Sequence, residues 1–307
     1  MKNFRLIVFI SSVLFCISPL SSPPLGLLLG LLLSQTIGHP FLKQNSRLTK
    51  ILLQLSVIGL GFGMNLFEAA KAGKEGFLFT ICSISITLAG GLILGKLLKI
   101  DQKISYLLSA GTAICGGSAI AAVGPIIDAK EEQMSVALGT VFILNALALF
   151  IFPMIGSDLG LSQYKFGMWA AIAIHDTSSV VGAAQKYGPQ ALQVAATVKL
   201  ERALWIIPLS FVTALVFKNK KSPVHIPYFI FIFIAAMTLN TFLPFLHPAN
   251  EMIVMAAKKG MTITLFLIGA GLSRTALRTV GFKPLLLGII LWVFISAGSL
   301  FVIETVI

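Results

Sequence analysis

The stretch Ser109-Ala-Gly-Thr-Ala-Ile-Cys-Gly-Gly-Ser-Ala-Ile-Ala-Ala-Val-Gly-Pro125 lies inside a membrane-length apolar segment, yet it holds four glycines, a proline and the small hydroxyl side chains of Thr112 and Ser118. Glycine loosens a helix and proline removes a backbone donor, so a helix that faces lipid gains nothing from either. In hydrocarbon every freed N–H or C=O must find a partner, so broken helix is tolerated only where it is buried in protein or lines a wet cavity. Gly116-Gly117-Ser118 therefore reads as the break of a discontinuous helix. Small residues also make tight helix–helix contacts, but such a contact does not require the nearby Pro125.

Around that stretch the chain is apolar throughout: hydrophobic residues are 57%, charged residues 11%, and the mean hydropathy is +0.95. A soluble fold of 307 residues cannot hide so much apolar surface, which predicts an all-α polytopic membrane protein. The net charge of +12 does not point to nucleic acid, because the cations sit in short loops between apolar spans, where they set orientation. Cys16, Cys82 and Cys115 all fall within apolar spans, so they imply neither a disulfide framework nor a metal site. No cofactor is expected.

Eleven transmembrane helices are predicted. The first follows Lys2 and Arg5 at residues 6–17, and residues 1–21 read as a first helix or signal-like segment, since Ser18-Pro19-Leu20 makes a poor cleavage pattern. The others lie near 24–38, 51–68, 76–95, 104–127, 134–155, 166–185, 191–217, 226–246, 255–273 and 284–304. Residues 1–307 form one transmembrane domain with no soluble domain. With the N-terminus inside, the cytoplasmic loops hold Lys43, Arg47 and Lys50, then Lys96, Lys99 and Lys103, then Lys218, Lys220 and Lys221, then Arg274, Arg278 and Lys283. The opposite loops hold mixtures such as Asp128-Ala-Lys-Glu-Glu132. Orientation is therefore expected with the N-terminus cytoplasmic and the C-terminus outside. Lys258 and Lys259 are the discordant pair.

Two internal similarities suggest inverted repeats. Leu60-Gly-Phe-Gly-Met-Asn-Leu-Phe67 resembles Leu267-Ile-Gly-Ala-Gly-Leu-Ser273, each followed by a basic loop and an apolar helix. Ala110–Ser118 resembles Ala170–Ser178, continuing into Thr140–Leu147 against Thr197–Leu204. With eleven spans the second pair would run parallel, which an inverted repeat forbids. Either the number of crossings between residues 150 and 190 is wrong by one, or the second similarity is accidental.

Chemistry belongs where polar residues persist at membrane depth, because charges there face the bundle interior or a wet path. One cluster is His175-Asp176-Thr177-Ser178-Ser179 and the other is Lys199, Glu201 and Arg202. Lys199 and Arg202 share a helix face, while Glu201 points to one side. Three charges in four residues can also mark a helix end with snorkelling stems, but Ala203–Val216 is too short to span alone. Asn65 and Asn145 are secondary polar contacts. A helix N-terminus after Gly116-Gly117, the Thr112 and Ser118 hydroxyls and Lys199 or Arg202 together make a coherent oxyanion site. The opposite sign is the alternative: Asp176 with hydroxyls and freed carbonyls around it binds Na⁺ or H⁺ instead. No paired-histidine metal motif or serine–histidine arrangement supports an intramembrane enzyme.

The run Gly111–Ala122, the motif from His175, the Thr197–Arg202 segment and Lys283-Pro-Leu-Leu286 resemble the YeiH-type bacterial membrane proteins, labelled as sulfate exporters. Asp176 stands where that resemblance leads one to expect glutamate. It implies a secondary transporter of the bacterial inner membrane, similar to bile-acid and sodium–proton antiporter folds, with inverted repeats and crossed broken helices. The expected substrate contacts are Thr112, Cys115, Gly116, Gly117, Ser118, His175, Asp176, Thr177, Ser178, Lys199, Glu201 and Arg202. The expected partners are a small inorganic ion and the lipid bilayer, with a homodimer left open and nucleic acid excluded.

Overall fold

Asn65, Asp101, Ser162 and Asp176 each stand where a helix begins, and each side chain accepts backbone N–H bonds from the first turn that follows. Such caps satisfy donors that a helix start leaves without partners. Prolines do the complementary work at Pro23, Pro189 and Pro248, where a missing N–H costs nothing. In a computed structural model of the protein, residues 2–217, 228–272 and 280–306 are described. The cations Lys218, Lys220, Lys221, Arg274 and Arg278 lie outside these residues.

Among the described residues the chain forms fourteen α-helices and one 3₁₀ turn. They are α1 (Lys2–Ile17), α2 (Pro23–Thr36), α3 (Leu42–Gly61), α4 (Leu66–Leu97), α5 (Gln102–Ala113), α6 (Gly117–Val123) and α7 (Glu131–Asp158). There follow α8 (Gln163–Ala173), α9 (Thr177–Tyr187), α10 (Pro189–Leu204), α11 (Ile206–Val216), α12 (Tyr228–Phe242), the turn Pro244–Leu246, α13 (His247–Gly271) and α14 (Phe282–Val306). Four of these stretches are long and apolar enough to cross a bilayer: Thr80–Leu97, Glu131–Asp158, Pro244–Gly271 and Phe282–Thr305. Phe4–Ile17, Pro23–Thr36 and Tyr228–Phe242 are shorter apolar helices. Leu215, Phe231, Val293 and Phe301 stay exposed on the outside of the bundle, as lipid-facing side chains do.

The described helices do not reproduce eleven spans, and the difference lies at residues 102–130 and 163–188. Gln133 Nε2 donates to Asp101 Oδ1 at 2.9 Å, and Lys103 Nζ donates to the Asp128 carbonyl at 2.7 Å. The chain that enters at α5 has thus returned to its starting end before α7 begins. The same holds for α8 and α9. Tyr187 Oη donates to the Leu161 carbonyl at 2.7 Å, the Gln190 N–H to Gln163 Oε1 at 3.0 Å, and the Phe166 and Tyr187 rings stack at 3.7 Å. At about 1.5 Å per residue, the arms α5 and α8 reach roughly 16–18 Å, only about half of a bilayer core. Each pair is a helical hairpin that goes in and comes back, not a crossing.

The two hairpins enter from opposite ends. α7 carries the chain from the Asp101 end to the other end, where Gly188 lies. From there α8–α9 enter and α10–α11 run back, placing Lys199 beside Ala171 and Ile174. α5–α6 with α7, and α8–α9 with α10, are therefore two units of like build and opposite direction. That resolves the parity conflict: the similarity of Ala110–Ser118 to Ala170–Ser178 links one hairpin tip to the other.

The remaining helices wrap these units. α13 packs along α2 so closely that a Cβ at Gly30 would lie 2.0 Å from the Phe266 carbonyl oxygen, and one at Gly269 would lie 2.3 Å from the Leu27 carbonyl oxygen. This is the small-residue mode of helix association, with Gly26 and Gly30 four apart. Lys258 and Lys259 fall inside α13, not in a loop, and Lys259 Nζ donates to the Ser18 carbonyl.

Candidate functional site

Each hairpin turns at three residues. In the first, α5 stops at Ala113, and Gly116 takes φ +63° and ψ −121° before α6 starts at Gly117. This conformation mirrors the first central residue of a type II turn and belongs to glycine. A Cβ there would meet Val141 Cγ1 at 3.1 Å and Asp176 Cβ at 3.4 Å, so the tips of both hairpins touch. In the second, Ile174 turns extended, His175 follows, and Asp176 caps α9 by accepting from the Ser179 N–H and the Ser178 hydroxyl.

The carbonyls freed at the turns are bonded by cations from α10. Lys199 Nζ donates to the Ile174 carbonyl at 2.6 Å and the Ala171 carbonyl at 3.2 Å. Arg202 Nη2 donates to the Ala113 carbonyl, and its Nη1 to Ser83 Oγ at 3.0 Å. The C-terminal ends of α5 and α8, which carry partial negative charge, thus each face one buried cation. A reciprocal bond comes from α7, where Asn145 Oδ1 accepts the His175 N–H at 3.1 Å. Asn145 and Arg202 occupy matching places in the similarity of Thr140–Leu147 to Thr197–Leu204, and each reaches across to the other unit's tip.

Asp176, Lys199 and Arg202 are the buried charged side chains among the described residues, and His175 is buried with them. Two basic side chains and one carboxyl thus gather at the centre of the bundle. Several buried polar atoms there have no partner: Thr112 Oγ1, Asn145 Nδ2, both His175 ring nitrogens, Asp176 Oδ1, Thr197 Oγ1 and Arg202 Nε. Such atoms are costly unless something binds them. Thr112, Cys115, Gly116 and Ser178 are buried at the tips, and Thr177 and Gly117 are partly buried.

Two expected contacts fall elsewhere. Ser118 is exposed, and its side chain hydrogen-bonds the Cys115 thiol of its own hairpin. Glu201 turns to α4, where its Oε2 accepts from Thr80 Oγ1 at 3.3 Å and its Oε1 from Trp205 Nε1 at 3.4 Å. Ser83 and Thr80 were not expected. Their signal is the i, i+3, i+7 spacing of Thr80, Ser83 and Thr87, all buried on one face of α4.

Residues 5–288 match the family model described as Conserved hypothetical protein 698. A UPF0324 membrane protein of Bacteroides thetaiotaomicron is 56% identical over 284 residues, covering 91% of this chain and 85% of the relative. A UPF0324 membrane protein of Porphyromonas gingivalis is 50% identical over 304 residues, covering 97% and 92%. No solved structure matches the chain.

Proposed function

The chain belongs to the Conserved hypothetical protein 698 family of membrane proteins, and from that premise we propose that it is a secondary transporter, not an enzyme, carrying a small inorganic oxyanion of the sulfate or sulfite type. The observation that carries this reading is the set of unpartnered donors at the hairpin tips beside two buried basic side chains. Thr112 Oγ1, Asn145 Nδ2, a His175 ring N–H and Arg202 Nε are hydrogen-bond donors of the kind an oxyanion accepts. Opposed hairpins meeting near mid-bilayer also suit a carrier, since inverted units give two related ways of exposing one central site.

In this reading the helices α1, α2, α3, α4, α7, α10–α11, α12, α13 and α14 cross the bacterial inner membrane, and the hairpins do not. The end holding Asp101 is assigned to the cytoplasm by its cations, which orient a chain where carboxylates do little: Lys96, Lys99, Lys103, Lys130 and Lys283 gather there beside Asp101, Asp128, Glu131 and Glu132, against Lys71, Lys74, Lys165 and Lys186 beside Glu68 at the other. The N-terminus then lies inside and the C-terminus outside.

The test is counterflow in proteoliposomes. Vesicles loaded with unlabelled sulfate or sulfite should take up labelled sulfate through the wild type, and Arg202→Ala should abolish uptake. No counterflow of any oxyanion in the wild type would remove the reading. The unpartnered Asp176 Oδ1 favours a second reading, a cation–proton antiporter. A Na⁺ or K⁺ pulse should then shift the internal pH, and Asp176→Asn should silence the shift.

A further inference from the structure

Glu201 sits on α10 between the two cations of the tips, yet its carboxylate faces the opposite way. It lines a groove of about 240 Å³ on the flank of the bundle with Phe77, Leu204, Trp205 and Pro208. Both of its hydrogen-bond partners, the Thr80 hydroxyl and the Trp205 indole N–H, are uncharged, and their bonds of 3.3 and 3.4 Å are longer than those an ionised carboxylate draws in, about 2.5–2.9 Å. Among the described residues no cation lies within 4.0 Å of either oxygen. The residue is half-buried near the middle of α10–α11 and opposite the middle of α4. An ionised carboxylate held that way at membrane depth is costly, and a protonated one is not.

The groove is not isolated from the tips. Thr80 Oγ1 donates to Glu201, the Ser83 hydroxyl donates to the Thr80 carbonyl at 3.0 Å, and Arg202 Nη1 donates to Ser83 Oγ at 3.0 Å. Arg202 then bonds the Ala113 carbonyl at the first tip. The groups facing Glu201 are Phe77 and Thr80 from α4, and Leu204, Trp205 and Pro208 from its own helix and the next. The charged neighbour is Arg202, the next residue, while Lys199 is turned to the second hairpin.

We propose that Glu201 is the proton-binding residue of this carrier and that protonating it tightens the hold of the hairpin tips on an anion; this rests on the transporter reading above. With Glu201 ionised, Asp176 and Glu201 balance Lys199 and Arg202, and the centre is neutral. With Glu201 protonated, the centre carries one positive charge, which an arriving anion neutralises. The proton enters from water in the groove, bonds to a Glu201 oxygen, travels with the bound anion and leaves when the anion does. No covalent bond other than that O–H changes. Direction follows whichever way the combined proton and anion gradients point.

The experiment uses the full chain, purified and reconstituted, with labelled sulfate and labelled chloride as probes. Wild-type affinity for the transported probe should fall about tenfold per pH unit above a midpoint, as linkage of one proton requires, and a pH-sensitive dye inside the vesicles should report proton flux alongside it. Glu201→Gln keeps groups that can bond Thr80 and Trp205 but cannot titrate. It should keep counterflow, bind the probe with pH-independent affinity near the wild type's acid-side value, and show no proton flux. Glu201→Asp, with a titrating carboxyl on a shorter stem, should keep proton flux with a displaced midpoint. A Glu201→Gln protein that retains the wild-type pH slope and proton flux overturns the proposal, as does a Glu201→Asp protein that loses proton flux while counterflow persists. Wild type without counterflow of either probe removes the carrier reading, and the proposal with it.

Discussion

Lys199 and Arg202 are three residues apart on α10, and each bonds the main chain of a different hairpin. Their charge is therefore partly structural: it holds the freed carbonyls of Ile174, Ala171 and Ala113 as much as it offers a field to a ligand. Replacing Lys199 by Met leaves two acceptors unpaired in the core, at roughly 1–3 kcal/mol each. The variant should reach the membrane but melt at a clearly lower temperature in detergent, with wild-type midpoints refuting the tie. The face shared by Lys199 and Arg202 was readable from their spacing, which also set Glu201 to one side, although Glu201 was still expected among the ligand contacts. The partners were not. Backbone carbonyls carry no sequence signature, and Ser83 and Thr80 look like ordinary small residues of an apolar helix until their spacing is set against α10.

At the scale of elements, glycine and proline mark the first turn legibly, and Ser109–Pro125 reads as interrupted helix from its composition alone. What the sequence concealed was the return. Residues 104–127 and 166–185 have the length and hydropathy of a full span, and neither property records whether a chain continues or doubles back. The one sign was the parity conflict between Ala110–Ser118 and Ala170–Ser178, which only an uncrossed segment could relieve. Close packing of α2 on α13 went unread because leucine dominates α2 and hides Gly26 and Gly30, while the small residues of α13 are scattered among larger ones. There Gly30→Leu would drive a side chain into the Phe266 carbonyl. Overpacking of this kind costs about 1–3 kcal/mol or more, and the variant should be cleaved by protease at residues 18–22 or 37–41 faster than the wild type. Equal resistance would show that the two helices part without consequence.

For the whole molecule, the hairpins change which loops share a side. Eleven crossings would put Lys130 and Lys99 on opposite faces of the membrane, whereas the structure puts both at the Asp101 end. In a background with Cys16, Cys82 and Cys115 replaced by alanine, single cysteines at Lys130 and Gly188 should react with a membrane-impermeant thiol reagent from opposite sides: Lys130→Cys only in inside-out vesicles, Gly188→Cys only in intact cells. Labelling of Lys130→Cys in intact cells would restore the crossing. In the proposed topology the number of traverses stays odd, because two spans, not one, are withdrawn.

Both hairpin tips are moored to α10, one through Lys199 and one through Arg202, and the hairpins come from opposite faces. A slide of that helix along its axis thus draws one tip deeper while pressing the other back towards its own base. In the carrier proposed above, such a seesaw would open the site to one compartment as it closes it to the other, with no separate lock.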